Sequence, residues 1–127
     1  MDTEMKKLLM LLALTLSPAV LAITPPAPDA FRQPQIFSNW LLNRCAGKAS
    51  TDKAFTDDAF KSASAWLEVS HLPVEAFSDG DKLINAYLKM NLAGSVSGNF
   101  NMMKCTLLSQ SQDAKVLYEK YKYKNKS

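Results

Sequence analysis

Across residues 34–121 apolar side chains recur at three- and four-residue intervals, and no run of alternating β-branched residues reaches the length of a strand. A helix with one apolar stripe has to bury it against a neighbour, so this spacing restricts the chain to packed helices. A first helix is expected over about residues 34–46. Ile36, Phe37, Trp40, Leu41 and Cys45 share its inner face, and Gly47 is placed to end it. Residues 50–55 read as a linker. A second helix over about 56–70 would be capped by Thr56, with Asp57 and Asp58 in its first turn, where the helix dipole favours anions. Pro73 interrupts the pattern, and residues 74–77 suit a short turn of helix. Asp79 or Asp81 then opens a third long helix to about Leu92, stopped by Gly94. Further helices follow over about 100–108 and 113–121. The spacing thus predicts an all-α fold, a small bundle of five to six short helices.

The N-terminus reads as a cleavable signal peptide over residues 1–22. Lys6 and Lys7 give the basic start, residues 8–16 (LLMLLALTL) the apolar core, and Ser17-Pro18 precedes the small residue Ala22 at the cut. That core is far shorter than the roughly 20 apolar residues of a membrane-spanning helix, so no membrane attachment is expected after cleavage. No cysteine lies near the cut, which argues against a lipoprotein, and Met5 is an alternative start because Asp2 and Glu4 precede the lysines. Cleavage leaves 105 of 127 residues, enough for one domain with a modest core. Residues 23–34 hold four of the six prolines and read as an extended leader, residues 35–121 as the helical domain, and residues 122–127 as a basic tail. Cys45 and Cys105 are the only cysteines. An even pair in an oxidising compartment reads as one disulfide, with two unpaired buried thiols as the alternative. Closing so long a loop stabilises by about 4 kcal/mol on loop-closure entropy.

The net charge of +3 lies after Gln112, where five lysines face Asp113 and Glu119, and residues 23–112 are neutral. A nucleic-acid binder carries its basic face on the folded domain, so nucleic acid is not an expected partner. The catalytic inventory is thin. His71 is the only histidine and sits at a helix end before Leu72-Pro73. With the cysteines paired, no Cys-His nucleophile remains. No His, Cys or carboxylate cluster has metal-ligand spacing, and no phosphate-binding loop is present, so neither metal nor cofactor is expected. Asp57-Asp58 and Asp79 with Asp81 fall at expected helix starts, where carboxylates serve structure. A binding protein is expected, not an enzyme.

The remaining candidate is the segment Gly94, Ser95, Val96, Ser97, Gly98 and Asn99. Two glycines and two serines around one valine disfavour helix and strand and read as an exposed loop. Val96 would be its apolar tip, Ser95 and Ser97 its hydrogen-bonding flanks, and Cys105 would anchor its base. A plain connection between helices is the alternative reading.

Four blocks taken together, NWLLNRCAGK (39–48), AFKSASAWLEV (59–69), HLPVEAF (71–77) and GSVSGNFNMMKC (94–105), resemble the type VI secretion amidase immunity protein family. The most specific is FN-x-MKC, ending at Cys105, followed by NWLL-x-RC, ending at Cys45. Met102 stands where a small polar residue is expected, and TLLSQS after Cys105 departs from the pattern. The resemblance implies a periplasmic, disulfide-containing helical protein that inhibits a secreted peptidoglycan amidase, a papain-like cysteine hydrolase. It also implies a homodimer whose protruding loop, here Gly94 to Asn99, occludes the amidase cleft. A second toxin-binding surface would map to the helix bearing Asp57, Asp58, Lys61 and Glu68. The competing reading is an exported helical structural or chaperone-like module with no toxin partner.

Overall fold

The structure is a computed structural model that describes residues 20–124. The expected signal peptide lies outside these residues except for Val20, Leu21 and Ala22, as does the end of the basic tail. Among the described residues there are five α-helices and no strand: α1 (Gln33–Ala49), α2 (Lys53–Glu68), α3 (Val74–Leu88), α4 (Asn101–Ser109) and α5 (Gln112–Tyr121). None is long and apolar enough to cross a membrane. The all-α fold is as the spacing predicts.

Helix α1 is the centre of the bundle and packs against all four others. Ile36, Phe37, Trp40, Leu41 and Cys45 are buried along it, each large side chain contributing on the order of 1.5–3 kcal/mol. Phe37, Trp40 and Phe77 meet edge-on or stacked at centroid distances of 4.9–6.1 Å. The disulfide Cys45–Cys105 joins α1 to α4, with both cysteines fully buried.

Several boundaries differ from the sequence reading for identifiable reasons. Gly47 does not end α1, which continues to Ala49. A Cβ on Gly47 would lie 2.5 Å from the Phe60 ring, so the glycine permits α2 to approach. Helix α2 starts earlier than expected because Asp52, not Thr56, is its N-cap: the Asp52 carboxylate accepts from the Phe55 N–H at 3.0 Å. The Thr56 hydroxyl lies within 3.3 Å of the carbonyl oxygens of Gly47 and Ser50, serving the end of α1 instead. Asp57 and Asp58 consequently lie beyond the first turn, and Asp57 pairs with Lys53 at 2.7 Å.

The expected short turn and third helix are one continuous helix, α3, from Val74 to Leu88. Asp79 and Asp81 are therefore not at a helix start. Asp81 accepts two hydrogen bonds from Arg44 of α1, at 3.0 and 3.3 Å. Asp79 accepts from the Tyr121 hydroxyl at 2.6 Å. The helix ends at Leu88, short of Leu92, and Gly94 does not stop it.

The leader is not simply extended. Pro28–Ala30 form a 3-10 turn, Phe31 packs edge-on against Trp66 at 5.2 Å, and Gln33-Pro34 already open α1. The Gln33 side chain donates to the Val69 carbonyl oxygen at 3.1 Å and accepts from the His71 N–H at 2.8 Å. It thereby ties the start of α1 to the turn between α2 and α3.

Candidate functional site

With the helices placed, residues 89–100 form the long connection between α3 and α4. Gly94, Ser95, Val96, Ser97, Gly98 and Asn99 are all exposed, with bends at Ser95, Val96 and Gly98. Val96 keeps 69% of its surface exposed. No heavy atom outside its chain neighbours comes within 4 Å of a Cβ built on Gly98. The segment is exposed throughout, carries no charge and holds one apolar side chain larger than glycine, Val96.

Its base is built from three directions. Cys105, five residues beyond Phe100, is covalently fixed to α1. Phe100 takes left-handed backbone, φ 55°, and turns the chain into α4. Its ring lies against Gly94, where an added Cβ would sit 3.3 Å from Cζ. The buried Lys104 donates to the Leu88 carbonyl oxygen at 3.2 Å and to Asn101 Oδ1 at 3.4 Å.

Asp57, Asp58, Lys61 and Glu68 are exposed along α2. The start of α2, ahead of these four residues, shares a groove with the start of α4, just beyond the loop. Phe55, at the start of α2, and Asn101 and Met102, at the start of α4, line one groove of about 460 Å³ together with Ala46 and Ala49. Glu68 lies at the far end of α2, about 20 Å away along the axis. The sequence reading missed this groove, and it missed Lys104 and Phe100 as parts of the loop's base. A lysine on the same helical face as Leu108, beside the buried Cys105, was the available signal. Met102, Met103 and Leu107 are half-exposed on α4.

Outside the loop, chemistry is sparse. The His71 side chain is exposed. Among the described residues no three His, Cys, Asp or Glu side chains gather to hold a metal ion.

Residues 35–118 match the type VI secretion system (T6SS) amidase immunity protein family, Tai4. The chain belongs to this family. It is also similar to a chain in the crystal structure of the effector Tae4 from Salmonella typhimurium in complex with the immunity Tai4 from Enterobacter cloacae. That likeness has 42% identity and a TM-score of 0.71 over 75% of this chain and 98% of the other. A chain in the Tae4-Tai4 complex from Enterobacter cloacae gives the same identity and TM-score, over 75% and 97%. The Tae4/Tai4 system from Salmonella typhimurium contains a chain 27% identical at a TM-score of 0.68, over 76% and 95%. No curated protein matches the chain significantly. The family membership agrees with the resemblance carried by the NWLLNRC and GSVSGNFNMMKC blocks, both inside or overlapping the matched span.

Proposed function

We propose that the mature chain is a periplasmic immunity protein that binds a type VI-secreted peptidoglycan amidase and blocks its active-site cleft. The observation that carries this reading is the 42% identity to a chain of structures in which the immunity protein is held in complex with Tae4, across nearly the whole of that chain. The loop supplies the mechanism. Residues 94–99 form an exposed, uncharged segment whose apolar Val96 is favoured to leave water on binding. Entering a papain-like cleft beside its Cys-His pair, the loop excludes substrate by volume alone and needs no chemistry of its own. The signal peptide delivers the chain to the oxidising compartment where Cys45 and Cys105 pair and an incoming amidase acts. A homodimer would let the exposed side of α2, with Asp57, Asp58, Lys61 and Glu68, face the toxin from the second subunit.

The test is protection. Cells expressing a periplasm-directed cognate amidase should survive when the exported protein is co-expressed, and the two proteins should co-purify. No protection and no co-purification would remove the inhibitor reading. Val96→Asp places a charge where the cleft would desolvate it, and should weaken binding by about tenfold or more. An unchanged affinity would move the binding site away from the loop.

A further inference from the structure

Lys104 is the one lysine among the described residues that the fold buries, with 5% of its surface exposed. Its Nζ bridges the Leu88 carbonyl oxygen and Asn101 Oδ1. Leu88 is the last residue of α3 and Asn101 the first of α4. A single ammonium group therefore links the two ends of the loop over residues 89–100. Among the described residues no carboxylate forms an ion pair with it. Its charge is met instead by the carbonyl end of α3, where a helix lacks partners for its last acceptors and carries partial negative charge.

An apolar side chain would fill the same space without desolvating an ammonium. What lysine adds is the bridge. Beyond it, Phe100 is held in left-handed backbone that a bulky residue rarely adopts, its ring against Gly94.

We propose that Lys104 is a positioning residue for effector binding. It clamps the two ends of the loop and, with Phe100 set against Gly94, holds residues 94–99 in the shape that enters the partner. Ordering the loop before binding removes part of the entropy that binding would otherwise cost. This inference rests on the loop reading above, and its test separates the two.

Binding of Tae4 from Salmonella typhimurium and from Enterobacter cloacae is measured for the mature, disulfide-bonded protein, for Lys104→Met and for Val96→Asp. Amide hydrogen exchange is followed in parallel. Methionine keeps the aliphatic volume and removes the donor. Exchange over residues 89–100 should speed by about tenfold or more while α1 amides stay as they were, and Kd should rise by about tenfold. A role confined to overall stability would instead speed exchange throughout. Unchanged binding in Lys104→Met with weakened binding in Val96→Asp overturns the clamp and leaves the loop reading standing. Unchanged binding in both overturns both. If neither effector binds, the exchange decides: loop amides no faster in Lys104→Met overturn the clamp. Should Lys104→Met fail to fold, Asn101→Ala replaces it, because it removes the acceptor at the far end of the Lys104 bridge and leaves the lysine in place. A weaker complex or faster loop exchange at an unchanged melting midpoint supports positioning, and neither change overturns it.

Discussion

Asp79 and Gly80 are neighbours on α3 with unrelated tasks. Gly80 is buried beneath Trp40, and a Cβ there would lie 2.7 Å from Trp40 Cζ3. The indole is wedged against Phe37 and Phe77 and is 4% exposed, so it has little room to move. Gly80→Ala should therefore destabilise by about 1–2 kcal/mol, the overpacking outweighing the gain in helix propensity. The thermal midpoint by circular dichroism should fall by roughly 4–8 °C. Gly98→Ala, which meets open space, is the comparison. Equal midpoints for the two variants would contradict the packing argument.

Asp79 acts through charge. The Tyr121 hydroxyl, then Lys120 and Lys82, hold its carboxyl below the usual 3.8. The same hydrogen bond, joined by burial, holds the Tyr121 hydroxyl above the usual 10.0. A carboxyl depressed on folding stabilises at pH above its unfolded value, and that stability is lost as pH falls through the folded one. For a phenol raised on folding, the stability is present below its unfolded value and lost as pH rises through the folded one. Urea titrations should thus show the wild type exceeding Asp79→Asn most between about pH 5 and 9. The difference should shrink on both sides, and a gap independent of pH would exclude the pair as its source.

At the scale of elements, the bundle is organised by how the helices are tied together. Helix α4 has only nine residues, too short to persist alone. The disulfide fixes it to α1 across a sequence separation of 60 residues. Converting Cys45 and Cys105 to alanine should cost about 2–5 kcal/mol. The melting midpoint should drop by on the order of 10 °C or more. Since α4 carries the base of the loop, effector binding should weaken in the same variant. Calorimetry alongside a binding titration checks both, and a midpoint within 2 °C of wild type, taking about 4–8 °C per kcal/mol, would mean the bond adds little. The helix ends also show where periodicity stops being informative. Gly47 looks like a break in a linear reading, yet it lies inside a helix under an aromatic ring from another helix, as does Gly80. Thr56 looks like a cap for α2 and instead lies against the carbonyls at the end of α1.

For the whole molecule, the charge distribution makes a prediction about binding. Residues 23–112 are neutral overall and residues 94–99 carry no charge. If the loop supplies most of the affinity, Kd for the effector should change by less than about tenfold between 50 and 500 mM salt. A steep salt dependence would shift the weight to the exposed charges of α2, Asp57, Asp58, Lys61 and Glu68. Titrations at the two ionic strengths distinguish these cases.

The sequence alone determined the helical class and the family and favoured the pairing of its two cysteines, because each rests on local spacing, residue chemistry or motifs in order along the chain. It located the exposed loop as well, since two glycines, two serines and a lone valine sustain no regular structure. The tertiary structure decided where helices truly end, what the carboxylates do and which side chains meet at the base of the loop. The Asp52 cap is a local contact that the periodicity passed over, whereas Asp81 meeting Arg44 and Lys104 reaching back to Leu88 join groups distant in sequence. No pattern along the chain encodes such encounters, because they exist only once the helices are packed.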